Sequence, residues 1–271
     1  MGASSRRRLA SDPRPSGIGK AAAAVSEASR GPSRNLGGDA ARGVRLPLRY
    51  SVGWYEPFEA RLLPALSPGV RILDVGSGRQ PALLPARRPP ACTYVGLDIS
   101  RTQLEQASAG SYDEVLEGDI TLHERSLQNR FDLLVSWQVL EHIRPLEAAL
   151  ENMRLYLRPG GTMVSLLSGG RSVFALINRL VPHDVAKRLL RVLLRREPAS
   201  VFPAHYDHCH YSALRAGLTQ WSSVEIEPLY RGASYLRFSR VAQHAYLLHE
   251  NWLQRERKVD FATHYLVRAT R

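Results

Sequence analysis

The chain has 271 residues, 44% of them hydrophobic, which is enough to bury the core of one large domain with extensions or of two small ones. Its two cysteines, Cys92 and Cys209, are too few and too far apart for a disulfide framework, no run approaches the roughly 18 apolar residues of a membrane-spanning helix, and no positive-then-apolar leader opens the chain, so a reducing cytoplasm is the expected location. The net charge of +12 is uneven: residues 1–49 carry ten Lys/Arg against three acids and residues 171–196 seven against one, whereas residues 50–170 carry eleven against fourteen, which excludes a nucleic-acid surface spread over the body of the protein.

Residues 1–45 are rich in Ser, Arg, Gly, Ala and Pro and hold almost no large apolar side chain to offset the entropy of ordering them, so they read as a disordered basic tail. The tail resembles an organellar transit peptide, and a solvated arm or an early start to the reading frame fits it equally. A single domain is expected over residues 46–271. Ile72 to Val75, Tyr94 to Leu97, Phe131 to Ser136 and Gly161 to Leu167 are short apolar runs separated by helical stretches, one of which opens near Val139. That alternation predicts an α/β fold with a parallel sheet covered on both faces, and such sheets bind ligands beyond the carboxyl ends of their strands. The run Gly161 to Leu167 is entered through the turn Arg158-Pro159-Gly160-Gly161. Ser223 to Leu229 and Thr263 to Ala269 are further strands, separated by a helical stretch from about Ser234 to Arg257. Its Tyr235, Phe238, Val241, Ala245, Leu248 and Trp252 recur at helical spacing and are expected to form a packed face.

The segment Ile72-Leu73-Asp74-Val75-Gly76-Ser77-Gly78, followed by Asp98 at the end of the next strand, suits a nucleotide. Glycines let backbone approach a ligand, and an acid about 20 residues on can accept from a ribose diol. Dinucleotide-binding and S-adenosylmethionine-binding sheets share this pattern. Charge separates them, because a carboxylate at Asp74 would repel a pyrophosphate and attract the ammonium of a methionine moiety. A third glycine is also missing, since Pro81 stands where G-x-G-x-x-G requires Gly or Ala.

From Trp54 to Leu167 the chain resembles the class I, Rossmann-like S-adenosylmethionine-dependent methyltransferases, in particular their bacterial small-molecule branch. The resemblance is carried in order by Asp74 to Gly78, Asp98, the pair Asp119-Ile120, the segment Ser136-Trp137-Gln138-Val139-Leu140-Glu141-His142, and the turn Leu157 to Gly161. It implies a seven-stranded, mostly parallel sheet with the last strand antiparallel, helices on both faces and helical lid insertions at about 171–210 and 230–260. It also implies S-adenosylmethionine as cofactor and S-adenosylhomocysteine as product. In that reading Gly76, Ser77 and Gly78 pass against the aminocarboxypropyl arm and Asp74 holds its ammonium. Asp98 and Ile99 take the ribose, Asp119 and Ile120 the adenine, and Ser136, Trp137 and Gln138 line the pocket beside the sulfonium. The segment Pro81 to Pro90 departs from the family, since its prolines leave little room for a long first helix.

Methyl transfer from a sulfonium is an in-line displacement that needs no metal, and a base helps where the acceptor is a hydroxyl. His142 is the candidate base or acceptor contact. In His205-Tyr206-Asp207-His208-Cys209-His210, Tyr206, His205 and His208 are candidates for the acceptor rim; the spacings match no common metal motif, and no metal is assigned. Between residues 171 and 197 a basic amphipathic helix is expected over residues 184–196, where a lid is one reading and a peripheral membrane contact another. The acceptor is expected to be a small molecule, sugar or lipid-linked intermediate. An RNA methyltransferase and a catalytically inactive binding module are the alternatives, although nucleic acid is not an expected partner, because no RNA-binding module or Asn/Asp-Pro-Pro-aromatic motif is present.

Overall fold

The computed structural model describes residues 44–180 and 204–271. All but the last two residues of the expected tail, and the whole of the basic helix expected over residues 184–196, lie outside the described residues. Seven strands form one sheet: β1 (Arg71–Val75), β2 (Thr93–Asp98), β3 (Glu114–Glu117), β4 (Phe131–Trp137), β5 (Leu157–Ser168), β6 (Ser223–Leu229) and β7 (His264–Thr270). Their spatial order is β3-β2-β1-β4-β5-β7-β6, with β7 antiparallel to both neighbours and the pairs from β3 to β5 parallel. The mostly parallel Rossmann-like sheet with a reversed last strand is therefore borne out.

The central strands read as unbroken apolar runs because both their faces are covered. In β1, Leu73 and Val75 enter one core with Leu134, Met153 and Tyr265, while Ile72 enters the other with Leu133, Val135, Val164 and Phe58. The helix α1 (Tyr55–Leu62) covers the second face through Phe58 and Leu62. On the first face lie α3 (Leu146–Tyr156), which buries Leu146, Ala149, Leu150 and Met153, and α5 (Tyr211–Gly217), which buries Leu214. Short α2 (Arg101–Glu105) follows β2, with the Ser100 hydroxyl accepting from the Gln103 N–H at its start. A third cluster, around Ala233, Tyr246 and Leu247, joins α4 (Val173–Leu180), α6 (Arg240–Arg255) and residues 44–50.

Several elements differ from the sequence reading. The helix expected near Val139 is only one 3-10 turn, Leu140–His142; α3 begins at Leu146, because Pro145 has no N–H to give a helix interior and stands just before it. The glycine turn after β1 leads into no helix but into irregular chain with one 3-10 turn, Pro85–Arg87, as the prolines there require. Strand β3, whose two glutamates hide it from an apolar scan, had not been delimited in the sequence. The turn Arg158 to Gly161 is absorbed into an irregular start of β5, with a register shift against β4 between Phe131 and Leu133.

The largest correction concerns α6. Tyr235, Phe238, Val241, Leu248 and Trp252 are exposed, and the helix instead buries Gln243, Tyr246, Leu247, Glu250 and Leu253. Its buried polar groups are satisfied: Gln243 donates to the Ala233 carbonyl at 3.1 Å, while Glu250 accepts from the Gly232 N–H at 2.5 Å and from the Tyr50 hydroxyl. Hydrogen bonding to the buried side fixed the rotation of the helix.

At the sheet end near β5, His264 is buried against Trp54, with ring centroids 4.3 Å apart, and its Nδ1 has no partner. Burial, helped by Arg231, holds its imidazole neutral, down to about 3. The unfolded chain, with an ordinary histidine pKa near 6.5, therefore takes up a proton that the folded chain refuses. This contribution is complete above pH ~6.5 and is lost as the pH falls toward 3. Denaturant titrations at pH 7 and 5 should show a loss of roughly 2 kcal/mol from this group, which His264→Asn removes; an unchanged pH slope in the variant would refute the assignment.

Candidate functional site

The carboxyl ends of β1, β2 and β4 meet around the glycine turn. Gly76 and Gly78 both have left-handed backbones, with φ of +70° and +53°. The Gly76 N–H donates to the Leu97 carbonyl at 2.8 Å, and a methyl group on Gly76 would overlap the Val139 side chain. The Gly78 N–H donates to Asp98 Oδ2 at 2.9 Å, and the Ser100 N–H donates to Asp98 Oδ1 at 2.8 Å. Tyr112 closes the far side of the turn, its hydroxyl donating to the carbonyls of Ser77 and Gly78 at 3.0 and 3.1 Å. A carboxylate that bridges two loops is thus held rigidly at the tip of β2, and each of its oxygens keeps lone-pair capacity toward the cleft.

That cleft has a volume of about 660 Å³ and is lined by Gly76, Gly78, Asp98, Ile99, Asp119, Ile120, Trp137, Gln138, Val139, Glu141, His142, Arg144 and His205, among others. Asp119 Oδ1 accepts from the N–H and hydroxyl of Thr121, both at 2.8 Å. Trp137 is fixed by Phe58, edge-on at 4.9 Å between centroids, and by Tyr55 at 5.6 Å. Gln138 takes a left-handed φ of +54° while its N–H donates to the Leu166 carbonyl at 2.7 Å, so the chain turns sharply out of β4 and into the cleft wall.

Three expected cofactor residues stand elsewhere. Asp74 is buried and does not line the cleft; its Oδ2 accepts from the Ala82 N–H at 2.6 Å and from the Tyr94 hydroxyl at 2.8 Å. Burial, with Asp74 alongside, pushes the Tyr94 phenol well up, so it remains a donor to that carboxylate. Asp74 ties the proline-rich segment back to β1. Ser77 and Ser136 are likewise buried outside the lining, each with a hydroxyl lacking a partner, because strand and turn alternation points them into the protein.

The sequence places Glu141 in the segment after β4 without giving it a role of its own. It is buried, its Oε1 accepts from the Ser168 hydroxyl at 2.7 Å and the Ser168 N–H at 3.3 Å, and its Oε2 has no partner. The Glu141 carbonyl also accepts from the N–H groups of His205 and Tyr206, both at 2.9 Å. This pair of bonds brings the distant 205–210 segment to the cleft. A carboxylate inside the apolar run Val139-Leu140-Glu141 was the available signal.

Of the acceptor candidates, His142 and His205 line the cleft. Tyr206 and His208 line a neighbouring cavity of about 370 Å³, with Gly170, Arg171, Asp207 and His210; the two cavities share Arg144 and His205. No residue of 230–260 lines either. Glu147, Asp207 and His208 bring one ligand-type atom each within 4.8 Å of one another. They already serve the start of α3, where His208 Nδ1 pairs with Glu147 and Asp207 Oδ2 accepts from the Leu146 N–H at 3.1 Å.

A sequence model described as a methyltransferase domain matches residues 55–221, more than half of the chain. The chain belongs to the methyltransferase-domain family. Among its relatives, the ubiquinone biosynthesis O-methyltransferase of Rhodopseudomonas palustris (strain TIE-1) is 27% identical over 165 residues, 59% of this chain and 64% of that protein. The protein so named from Nitrobacter winogradskyi is 31% identical over 173 residues, 62% and 64% of the two chains. This chain thus spans about 64% of the length of these curated relatives. A solved S-adenosylmethionine-dependent methyltransferase from Mesorhizobium loti is similar over 80% of this chain and 96% of its own, with a TM-score of 0.49 and 18% identity.

The cofactor of this methyltransferase domain is S-adenosylmethionine, and the residues present fit it. Gly76 leaves a cradle that any Cβ would fill, and the cleft volume lies within the range of nucleotide-sized ligands. Asp98, Asp119 and Glu141 face the cleft against one arginine, a sign that suits a diol and an ammonium and opposes a pyrophosphate.

The two glycines should respond differently to a methyl group. Gly76→Ala meets both Val139 and a left-handed φ, whereas at Gly78 the nearest atom to an added Cβ is Asp98 Oδ2 at 3.7 Å, which leaves only backbone strain. Calorimetry should show S-adenosylhomocysteine affinity falling more than about 30-fold in Gly76→Ala and by roughly 3- to 10-fold in Gly78→Ala, and equal losses would contradict the packing described.

Proposed function

We propose that the protein transfers the methyl group of S-adenosylmethionine to a hydroxyl of a small-molecule acceptor. The observation that carries the proposal is one cleft shared by the glycine turn, the acids Asp98 and Asp119, and the imidazoles of His142 and His205. The choice of a hydroxyl is supported by the O-methyltransferase names of relatives 27% and 31% identical.

S-adenosylmethionine supplies a methyl group already activated by a positive sulfur. The chain supplies placement. Asp98 accepts from the ribose hydroxyls with the lone pairs that Gly78 and Ser100 leave free. Asp119 keeps Oδ2 for the adenine amino group, and Ile99 and Ile120 give that end apolar contact. Gly76 and Gly78 pass main chain along the amino-acid arm, and Trp137 and Gln138 wall the reacting end. The indole, braced by Phe58 and Tyr55, excludes water there. His142 accepts the proton of the acceptor hydroxyl, and His205 holds the acceptor from the rim shared with the second cavity, where Tyr206 and His208 extend the surface. The lining of that cavity by Arg171, His205, Tyr206, Asp207, His208 and His210 supports an acceptor-facing role for these parts of the first expected lid.

Labelled-methyl transfer to phenolic acceptors of low molecular weight tests the reading. Activity should persist at about 0.5 M salt, which a phosphate-bound RNA acceptor would not permit. Asp98→Ala should abolish the calorimetric signal with S-adenosylhomocysteine. His142→Ala should keep that signal but lower kcat by roughly 100-fold. Unchanged turnover in His142→Ala would remove the histidine from the mechanism, and absence of cofactor binding in the parent protein would remove the function.

A further inference from the structure

The outer side of α6 carries an unpaired apolar stripe. Val241, Ala245, Leu248 and Trp252 follow one another at intervals of three and four residues, so they stack along one line of the helix, and Phe238 stands just before its Ser239 cap. Phe238 is 66% exposed, Val241 81%, Leu248 59% and Trp252 44%, and Tyr235, just before the helix, is 46% exposed. Isolated exposed apolar residues are ordinary, but a continuous row of them on one helix face marks a surface that something covers. The inward side of the same helix is already packed through Tyr246, Leu247 and Leu253.

Charge decides among the occupants. The exposed residues Arg237 and Arg240 stand at the start of the stripe in the chain and Arg255, Arg257 and Lys258 at its end, with Arg255 continuing its line three residues beyond Trp252. Only Arg255 has an acidic partner among the described residues, Glu256 at 3.1 Å. A second copy of this face would set the same basic rim against itself. Residues 171–196 of this chain, with seven Lys/Arg against one acid, would do the same. The partner is therefore anionic. It also accepts the row of apolar side chains from Val241 to Trp252, which ends in an indole, a ring type that settles at a bilayer interface. We infer that the outer face of α6 lies on an anionic lipid surface, with Phe238, Val241, Leu248 and Trp252 in the acyl boundary and the arginines at the headgroups. No helix among the described residues is long and apolar enough to cross a membrane, so the contact is peripheral.

Co-sedimentation of the full chain with vesicles tests this. The parent should pellet with phosphatidylcholine vesicles containing about 30% phosphatidylglycerol, far less with pure phosphatidylcholine, and less as salt rises. The double variant Val241→Asp/Leu248→Asp should lose about tenfold or more in partitioning while keeping the heat of S-adenosylhomocysteine binding as its control for folding. Should that variant fail to fold, Arg237→Gln/Arg240→Gln/Arg255→Gln, which touches no buried group, should lose the anionic preference and its salt dependence. The inference is overturned if the parent pellets with neither vesicle or if folded variants bind as the parent does. It is also overturned if light scattering shows a dimer that Val241→Asp/Leu248→Asp dissociates, or if soluble polyglutamate binds this face and vesicles do not.

Discussion

Where β1 ends, the chain has to pass between the tips of β2 and β4 through a gap that admits backbone and no side chain. Val139 fills one wall, the Leu97 carbonyl takes the N–H of Gly76, and Asp98 takes the N–H of Gly78. Everything that faces the cleft follows from this constriction. The left-handed turn suits glycine, and its two N–H groups are taken by the Leu97 carbonyl and the Asp98 carboxylate. It also brings the Asp98 carboxylate onto the same rigid unit as the turn. The cleft is therefore built from fixed backbone and short acids, with long flexible side chains kept to its rim, and that arrangement limits the entropy lost when a ligand is ordered against it.

The chain order of the site was legible because its parts are local. A glycine turn after a short apolar run, an acid at the end of the following strand and a Pro-Gly-Gly turn before the fifth each announce themselves within a few residues. What the sequence could not show is direction. Strands buried on both faces lack the alternation that tells inward from outward, so Asp74 and Ser136 read the same as residues that face a ligand. The fold turns Asp74 toward Ala82 and Tyr94 because the segment after the turn, too rich in proline for a helix, needs a buried acceptor for its N–H groups. The role of Glu141 was hidden for the opposite reason. Its partners, Ser168 and the backbone of His205 and Tyr206, are 27 or more residues away, and no local pattern encodes them.

That long-range contact explains how two histidines so far apart in sequence share one cavity. The Glu141 carbonyl receives two N–H donors from the irregular chain at 205–206, and the left-handed φ values at Tyr206 and His208 carry the chain around the start of α3, where Asp207 meets the Leu146 N–H. The segment is thus fastened at both ends by backbone groups that would otherwise be unsatisfied. Of its side chains, Cys209 is buried in the core, Asp207 and His208 serve the helix start with Glu147, and His205, Tyr206, Asp207, His208 and His210 line the second cavity.

The reversed face of α6 follows from the same accounting of polar groups. Either face of the helix could pack: Tyr246, Leu247 and Leu253 on one side offer about the same apolar payload as Val241, Leu248 and Trp252 on the other, each side chain being worth roughly 1.5–3 kcal/mol when fully buried. Burial of hydrocarbon alone leaves the rotation undecided. Glu250 breaks the tie, because its carboxylate collects the Gly232 N–H, the Tyr50 hydroxyl and the nearby Arg49 guanidinium, and Gln243 meets the Ala233 carbonyl. Rotating the helix would strand those partners, at a cost of about 1–3 kcal/mol for each buried group left unpaired. The polar network therefore wins inside the protein, and the apolar stripe it displaces is left facing outward, where water cannot repay it and a hydrocarbon surface can.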